Sequence, residues 1–95
     1  MLFRSMTISV IIPMFNAENT IETALDSIKN QTYKCEYEII IVNDGSNDAS
    51  KIIVENYIIR NPQMNITLVD QANGGVSKAR NEGLRRAKGG YIALC

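Results

Sequence analysis

Three short apolar runs, each closed by turn-forming residues and followed by a stretch with helical spacing, constrain this chain more than any other feature. The first is Ile8-Ser9-Val10-Ile11-Ile12-Pro13, rich in β-branched residues and ended by a proline that cannot donate to a central ladder. The second, Glu38-Ile39-Ile40-Ile41-Val42, is closed by Asn43-Asp44-Gly45-Ser46, residues that suit a tight turn and a helix N-cap at Ser46. The third is Ile66-Thr67-Leu68-Val69, and a fourth run opens at Tyr91 and reaches Cys95. Runs that do not alternate apolar with polar belong to strands buried on both faces, as in parallel sheets.

The intervening segments have a helical period. In residues 19–31, Ile21, Ala24 or Leu25, and Ile28 share a face, and Asn19 with Glu22 predicts a capping-box start. Residues 46–60 place Ile52, Ile53, Tyr57 and Ile58 three to four residues apart, and Asn61-Pro62 stops the helix. Residues 76–88 show the same spacing through Ala79, Leu84 and Ala87, with basic residues in the last turns and Gly89-Gly90 after them. The order βαβαβαβ predicts an α/β fold, a Rossmann-like open parallel sheet with right-handed crossovers and helices on both faces. Residues 1–6 read as an N-terminal extension and residues 7–95 as one domain or part of one, with no linker or repeat. An apolar run that reaches the chain end is expected to be a fragment boundary. Its unpaired edge predicts self-association.

Composition removes several classes. Hydrophobic residues make up 45% and charged residues 21%, close to the roughly 45–50% and 25% of soluble domains, so a disordered or fibrous chain is excluded. There is no histidine, and Cys35 and Cys95 are the only cysteines, so neither a zinc site nor a disulfide framework is expected, and a cytoplasmic setting is. The apolar run at residues 39–42 is far shorter than the roughly 18–20 residues of a membrane span. Ten basic and ten acidic residues cancel, yet residues 1–50 hold three against seven and residues 51–95 seven against three. The cluster Lys78, Arg80, Arg85, Arg86 and Lys88 reads either as a solvated helix face or as a phosphate-binding surface. At zero net charge, nucleic acid is not an expected partner.

Open parallel sheets bind ligands beyond the carboxyl ends of their strands, where the strand order reverses. That rule selects Pro13-Met14-Phe15-Asn16, Asn43 to Ser46, Asp70 to Gly75, and whatever follows Cys95. Asp44 suits acceptance of a hydrogen bond from a nucleobase or sugar hydroxyl, with Gly45 giving clearance; it equally suits an acidic cap turn. Phe15 is placed either to stack on a base, at about 1–3 kcal/mol, or to pack in the core. Asn73-Gly74-Gly75 before a helix resembles an anion site, but there is no G-x-x-x-x-G-K-S/T loop and no G-x-G-x-x-G after the first strand. Arg80 reads as a diphosphate ligand, as a charge-assisted partner of Asp44, or as a surface arginine.

Four segments in order, S-V-I-I-P-M-F-N at residues 9–16, S-I-K-N-Q-T at 27–32, E-I-I-I-V-N-D-G-S at 38–46 and N-G-G-V-S-K-A-R-N-E-G at 73–83, closely resemble the family 2 glycosyltransferases over residues 7–95. The resemblance implies the first half of a GT-A domain. It implies transfer of a sugar from a nucleotide-diphosphate sugar, most commonly a UDP-sugar, to a carbohydrate or lipid-linked acceptor hydroxyl, usually with inversion and a divalent metal, Mg or Mn. By position, Phe15 matches the aromatic beside the base, Asp44 the aspartate that hydrogen-bonds it, Arg80 the arginine near the donor phosphates and Glu18 an acidic position near the nucleoside. Pro13, Asn16, Gly45, Asn73 and Gly75 complete the implied donor-binding set. Asn43 departs from the family, which commonly has a first aspartate there.

The family's D-x-D metal motif should follow the strand at residues 90–95 within a residue or two. Metal ligands and catalytic base are therefore expected beyond Cys95, and residues 1–95 alone are expected to show little transferase activity. Peripheral attachment of the parent protein to a membrane is compatible with this reading. The rival readings are a non-catalytic nucleotide-binding module of the same fold and a flavodoxin-like regulatory domain, and the second lacks the four-motif match.

Overall fold

The computed structural model describes residues 6–31 and 35–94. Seven elements follow in the expected order: β1 (Met6–Met14), α1 (Ile21–Lys29), β2 (Cys35–Asp44), α2 (Ser50–Arg60), β3 (Asn65–Gln71), α3 (Val76–Arg86) and β4 (Tyr91–Leu94). The strands form one parallel sheet in the order β3-β2-β1-β4. β1 begins at Met6, the last residue of the stretch read as an extension; residues 1–5, Thr32 and Cys95 lie outside the described residues.

The unalternating apolar runs are explained by helices on both faces. Val10, Ile12 and Met14 of β1 and Ile39 and Ile41 of β2 point to one face, where Ile21 and Leu25 of α1 and Val54 and Tyr57 of α2 cover them. Ile11, Ile40, Val42 and Val69 point to the other, under Ala79 of α3. A strand's side chains alternate, so a central strand sandwiched in this way is apolar on both faces along most of its length, with a buried polar residue such as Ser9 only where it is hydrogen-bonded. Pro13 does not end β1, which runs one residue further; it lies beyond Ile11, which pairs with Leu94 at the last described β4 position, so its missing N–H interrupts no described β4 pairing.

Helix starts differ from expectation. No capping box forms at Asn19 and Glu22: α1 begins at Ile21 after Thr20, with no side-chain cap. The chain turns instead on the Ala17 carbonyl, which accepts from Thr20 N and Ile21 N at 3.0 and 2.9 Å, while Glu22 pairs with Arg60 of α2 at 3.5 Å. α2 begins at Ser50, not at Ser46. Asp48 accepts from Ser50 N at 2.9 Å, and Glu18 accepts from Ala49 N at 2.9 Å, so two carboxylates serve that positive helix end. The later start resets the buried face to Ser50, Val54 and Tyr57, which leaves Ile52, expected inside, 54% exposed.

α3 ends at Arg86, two residues early, because the sheet takes its next amides. Lys88 N donates to Glu38 Oε1 at 2.9 Å and Gly89 N to Ser9 Oγ at 2.8 Å. Ser9 is fully buried and donates to Glu38 Oε1 at 2.6 Å, tying β1, β2 and the approach to β4 together. The buried face of α3 is Ala79 and Gly83, and Leu84, expected inside, is exposed. Among the described residues no helix is long and apolar enough to cross a membrane.

Candidate functional site

The chain steps outward from β1 to β2 to β3 and then returns to the far side of β1 for β4. The order therefore reverses at β1, and the ligand crevice of such a sheet is expected above its carboxyl end. A cleft of about 240 Å³ lies there, lined by Pro13, Met14, Phe15, Asp44, Asn73, Gly75, Val76 and Ala79. It is smaller than the roughly 300–1,000 Å³ of a drug-sized pocket. A larger hollow of about 500 Å³, with Thr7, Glu36 and Asn65 in its wall, lies at the opposite, amino ends of the strands. No loop from a strand's carboxyl end reaches it.

Phe15 is 49% exposed and faces the cleft, which removes the core-packing alternative for it; Val76, also about half exposed, faces the same space. Asp44 is buried at the cleft. Its Oδ1 accepts from Gln71 Nε2 at 2.9 Å and from Gly74 N at 2.8 Å; its Oδ2 accepts from Gly75 N at 2.9 Å. Asn73 Nδ2 donates to the Asp44 main-chain oxygen at 3.0 Å. The Gln71 amide above all, then the Gly74 N–H, holds the carboxyl below its usual range; burial opposes them, and Gly75 and the Lys78 charge add to them. The acid therefore does not cap α2, which begins at Ser50; it accepts from the loop that leads into α3.

The Asn73-Gly74-Gly75 loop does form an anion nest, and the anion is the protein's own Asp44. Gly75 has φ +97 and Gly45 φ +74, conformations that favour glycine. A Cβ at Gly45 would also meet Asn73 N at 3.0 Å, so the two loops approach as closely as backbone allows.

Five of the sequence-selected residues, Pro13, Phe15, Asp44, Asn73 and Gly75, line the cleft, and Gly45 adjoins it. Arg80 makes no ion pair with Asp44, contrary to one of its readings: it sits one residue beyond the cleft-lining Ala79, and its Nε is buried without a hydrogen-bond partner. Asn16 and Glu18 are not brought to the cleft. Asn16, at φ +49, accepts from Asn47 N at 2.8 Å and donates its own N–H to Ser46 Oγ at 3.0 Å. Glu18 serves α2 as described, and its N–H donates to Asp48 Oδ2 at 3.2 Å.

Three supporting residues were given no role of their own in the sequence, although Asp70 and Gln71 fall within the segment selected after the third strand and only Ser50 lies outside it. Gln71 reaches Asp44 because the two are register partners of β3 and β2. Ser50, fully buried, accepts from Ala17 N at 2.7 Å and donates to Asp48 Oδ1 at 2.5 Å, stitching the loop after β1 to the start of α2. Asp70 pairs with Lys51 at 2.9 Å and accepts from Asn43 Nδ2 at 3.0 Å. The one sequence signal available was Asp48 two residues before Ser50, the spacing of a side-chain-capped turn.

Among the described residues no group of three or more Asp, Glu, Cys or His side chains could hold a metal ion. The described residues by themselves therefore do not fit the divalent metal implied by the resemblance.

Known proteins match this arrangement. A model of "Glycosyl transferase family 2" matches residues 9–95. The chain is 46% identical over 87 residues to the uncharacterized glycosyltransferase EpsJ of Bacillus subtilis, covering 92% of this chain and 24% of EpsJ. S. aureus TarS 1-349, solved in complex with UDP-GlcNAc, superposes with a TM-score of 0.82 at 37% identity, over 94% of this chain and 26% of TarS. The mannosyltransferase PcManGT of Pyrobaculum calidifontis, solved with GDP-Man and Mn2+, gives 0.83 at 29% identity, over 95% and 26%. The chain thus spans about a quarter of the length of each. With the strand order, the two-faced sheet and these matches in agreement, the chain belongs to glycosyl transferase family 2.

Proposed function

We propose that this chain carries the donor-nucleotide pocket of an inverting sugar transferase that moves a sugar from a UDP-sugar to a carbohydrate or lipid-linked acceptor hydroxyl. The observation that carries the reading is Asp44, ionised and buried beside the half-exposed Phe15 ring at the point where the strand order reverses. In this reading Phe15 stacks on the base, Asp44 accepts its N–H, and Gly75 and Asn73 hold the wall. Arg80, with a buried N–H that has no acceptor, meets the diphosphate by charge-assisted bonds. TarS, whose structure contains UDP-GlcNAc, supports the uridine assignment. PcManGT, whose structure contains GDP-Man and Mn2+, supports the diphosphate-sugar class and a divalent metal in the whole protein.

Binding is tested by calorimetric titration of the chain with UDP, GDP and ADP. UDP should bind, and Asp44→Asn should weaken it by roughly tenfold or more, the worth of one hydrogen bond to a charged group. Equal binding of all three nucleotides, or unchanged UDP affinity in Asp44→Asn, would refute the assignment. Transfer and its stereochemistry are tested on the whole protein with UDP-sugars.

A further inference from the structure

The Asp44 carboxylate is loaded unevenly. Oδ1 has two short donors, Gln71 Nε2 and Gly74 N, at 2.9 and 2.8 Å. A carboxylate oxygen offers two lone pairs, so Oδ1 is filled. Oδ2 has one short donor, Gly75 N at 2.9 Å. Asn73 Nδ2 stands 3.5 Å away from it and gives its better bond to the Asp44 carbonyl. One lone pair of one oxygen is left without a short partner.

Bases differ in what they bring to such an acceptor. Uracil presents one imide N–H between two carbonyls. Guanine presents two adjacent donors, N1–H and the N2 amino group, which need both oxygens of a carboxylate. Gly74 and Gly75 donate from the backbone and cannot be changed by side-chain choice. Gln71 is the side chain that decides whether Oδ1 has room, and it is held in place by the register that pairs it with Asp44.

We propose that Gln71 is a positioning residue that sets base selectivity: by filling Oδ1 it leaves Asp44 one acceptor site, matched to a single N–H donor and closed to the paired donors of guanine. The inference rests on the reading of Asp44 as the base acceptor, and its test separates the two. Lys78 of α3 is the charged side chain that acts on Asp44, and it is left unchanged throughout.

UDP and GDP affinities are measured by calorimetry between about pH 5 and pH 8 for the wild-type chain, Gln71→Met, Gln71→Glu and Asp44→Asn. Gln71→Met has similar reach and no N–H, and it should lower the UDP-to-GDP preference by roughly tenfold, with GDP gaining. In Gln71→Glu two carboxylates stand where the amide was 2.9 Å from Oδ1. At the acid end they share a proton that replaces the amide hydrogen bond; as pH rises the pair loses it and repels. UDP affinity of this variant, taken as a ratio to wild type at each pH so that the titration of the UDP phosphate at about pH 6 cancels, should therefore approach one near pH 5 and fall roughly tenfold by pH 8.

If Asp44→Asn loses UDP but both Gln71 variants keep the wild-type preference and the wild-type pH profile, the inference is overturned and the pocket assignment stands. If Asp44→Asn binds UDP normally, both fall. Should Gln71→Met fail to fold by circular dichroism, the reversible pH profile of Gln71→Glu decides alone.

Discussion

Gly83→Ala is the substitution whose outcome the packing fixes against local propensity. In an exposed helix this change stabilises by about 1 kcal/mol, because alanine is the better helix former. At Gly83 the new methyl would sit 2.3 Å from Ile11 Cγ2 and 3.3 Å from Ile11 Cδ1, against about 3.5–4.0 Å for carbons in contact. Ile11 cannot yield: it is fully buried on the central strand, and branching at Cβ leaves its χ1 stiff. α3 must lift by more than an ångström, at the upper end of the roughly 1–3 kcal/mol that overpacking costs. After the helix term the expected net loss is about 2 kcal/mol, or about 8–16 °C in Tm for a domain of this size. The assay is thermal unfolding by circular dichroism, repeated in an Ile11→Leu background. Leucine has no Cγ2 branch at Cβ, so the double-mutant cycle should show coupling of about 1 kcal/mol or more. A Tm equal to or above wild type, or zero coupling, would refute the seating of α3 on Ile11.

Three further outcomes follow from the hydrogen bonds. The Ser9 hydroxyl chiefly, with the Lys88 N–H, holds Glu38 below its ordinary 4.5 against the opposing effect of burial. Because the folded value is the lower one, Glu38 contributes stability above that range and loses it as pH falls through it; Glu38→Gln, whose carbonyl accepts the same bonds, should flatten part of the acid loss in urea midpoints measured from about pH 3 to 6. Asn43→Asp replaces a donor 3.0 Å from Asp70 Oδ1 with a second carboxylate, which should cost about 1–2 kcal/mol at neutral pH in urea denaturation and be recovered by Asp70→Asn. Ser50→Ala strands the Ala17 N–H, bonded at 2.7 Å in a buried place; a loss of about 1–3 kcal/mol with faster hydrogen exchange at Ala17 is expected, and no change in either would refute the stitch.

What the sequence disclosed and what it withheld divide along a physical line. Strands β1 and β2 were legible because burial on both faces asks for consecutive apolar residues, a pattern no local turn or cap can imitate. The carboxyl-end loops were legible because turn-forming residues, Pro13 and Asn16, Gly45 and Ser46, and Asn73 to Gly75, close each run, and Phe15 and Asp44 stand beside them. Helix starts were not, because Asn19, Glu22 and Ser46 have local cap roles available and the fold assigns each a partner about thirty residues away or leaves it none. Ser46 meets Asn16, and Glu22 meets Arg60. The role of Gln71 was hidden for the same reason: it falls in the segment selected after the third strand, but its pairing with Asp44 depends on the β2–β3 register, and a polar residue at a strand end has no pattern of its own.

Three acids at the carboxyl end of the sheet, Asp44, Asp48 and Asp70, are held below the usual carboxylate range by different means. Asp44 depends mainly on neutral donors, Gln71 and the glycine amides. Asp48 overcomes its burial through the Ser50 hydroxyl and N–H, and Asp70 relies on Lys51 and then Asn43. The difference matters for the cleft. A cation paired to Asp44 would compete with a ligand for the same charge, whereas neutral N–H donors fix the carboxylate's place and leave its charge to be met. Among the described residues no cation forms an ion pair with Asp44, and the Lys78 charge adds least to holding it: Lys51 neutralises Asp70, which does not line the cleft, and Arg80 has a buried N–H without an acceptor. A buried carboxylate and a guanidinium N–H without a hydrogen-bond partner among the described residues therefore lie on adjacent elements, β2 and α3, and the glycine nest between them holds the carboxylate with neutral donors.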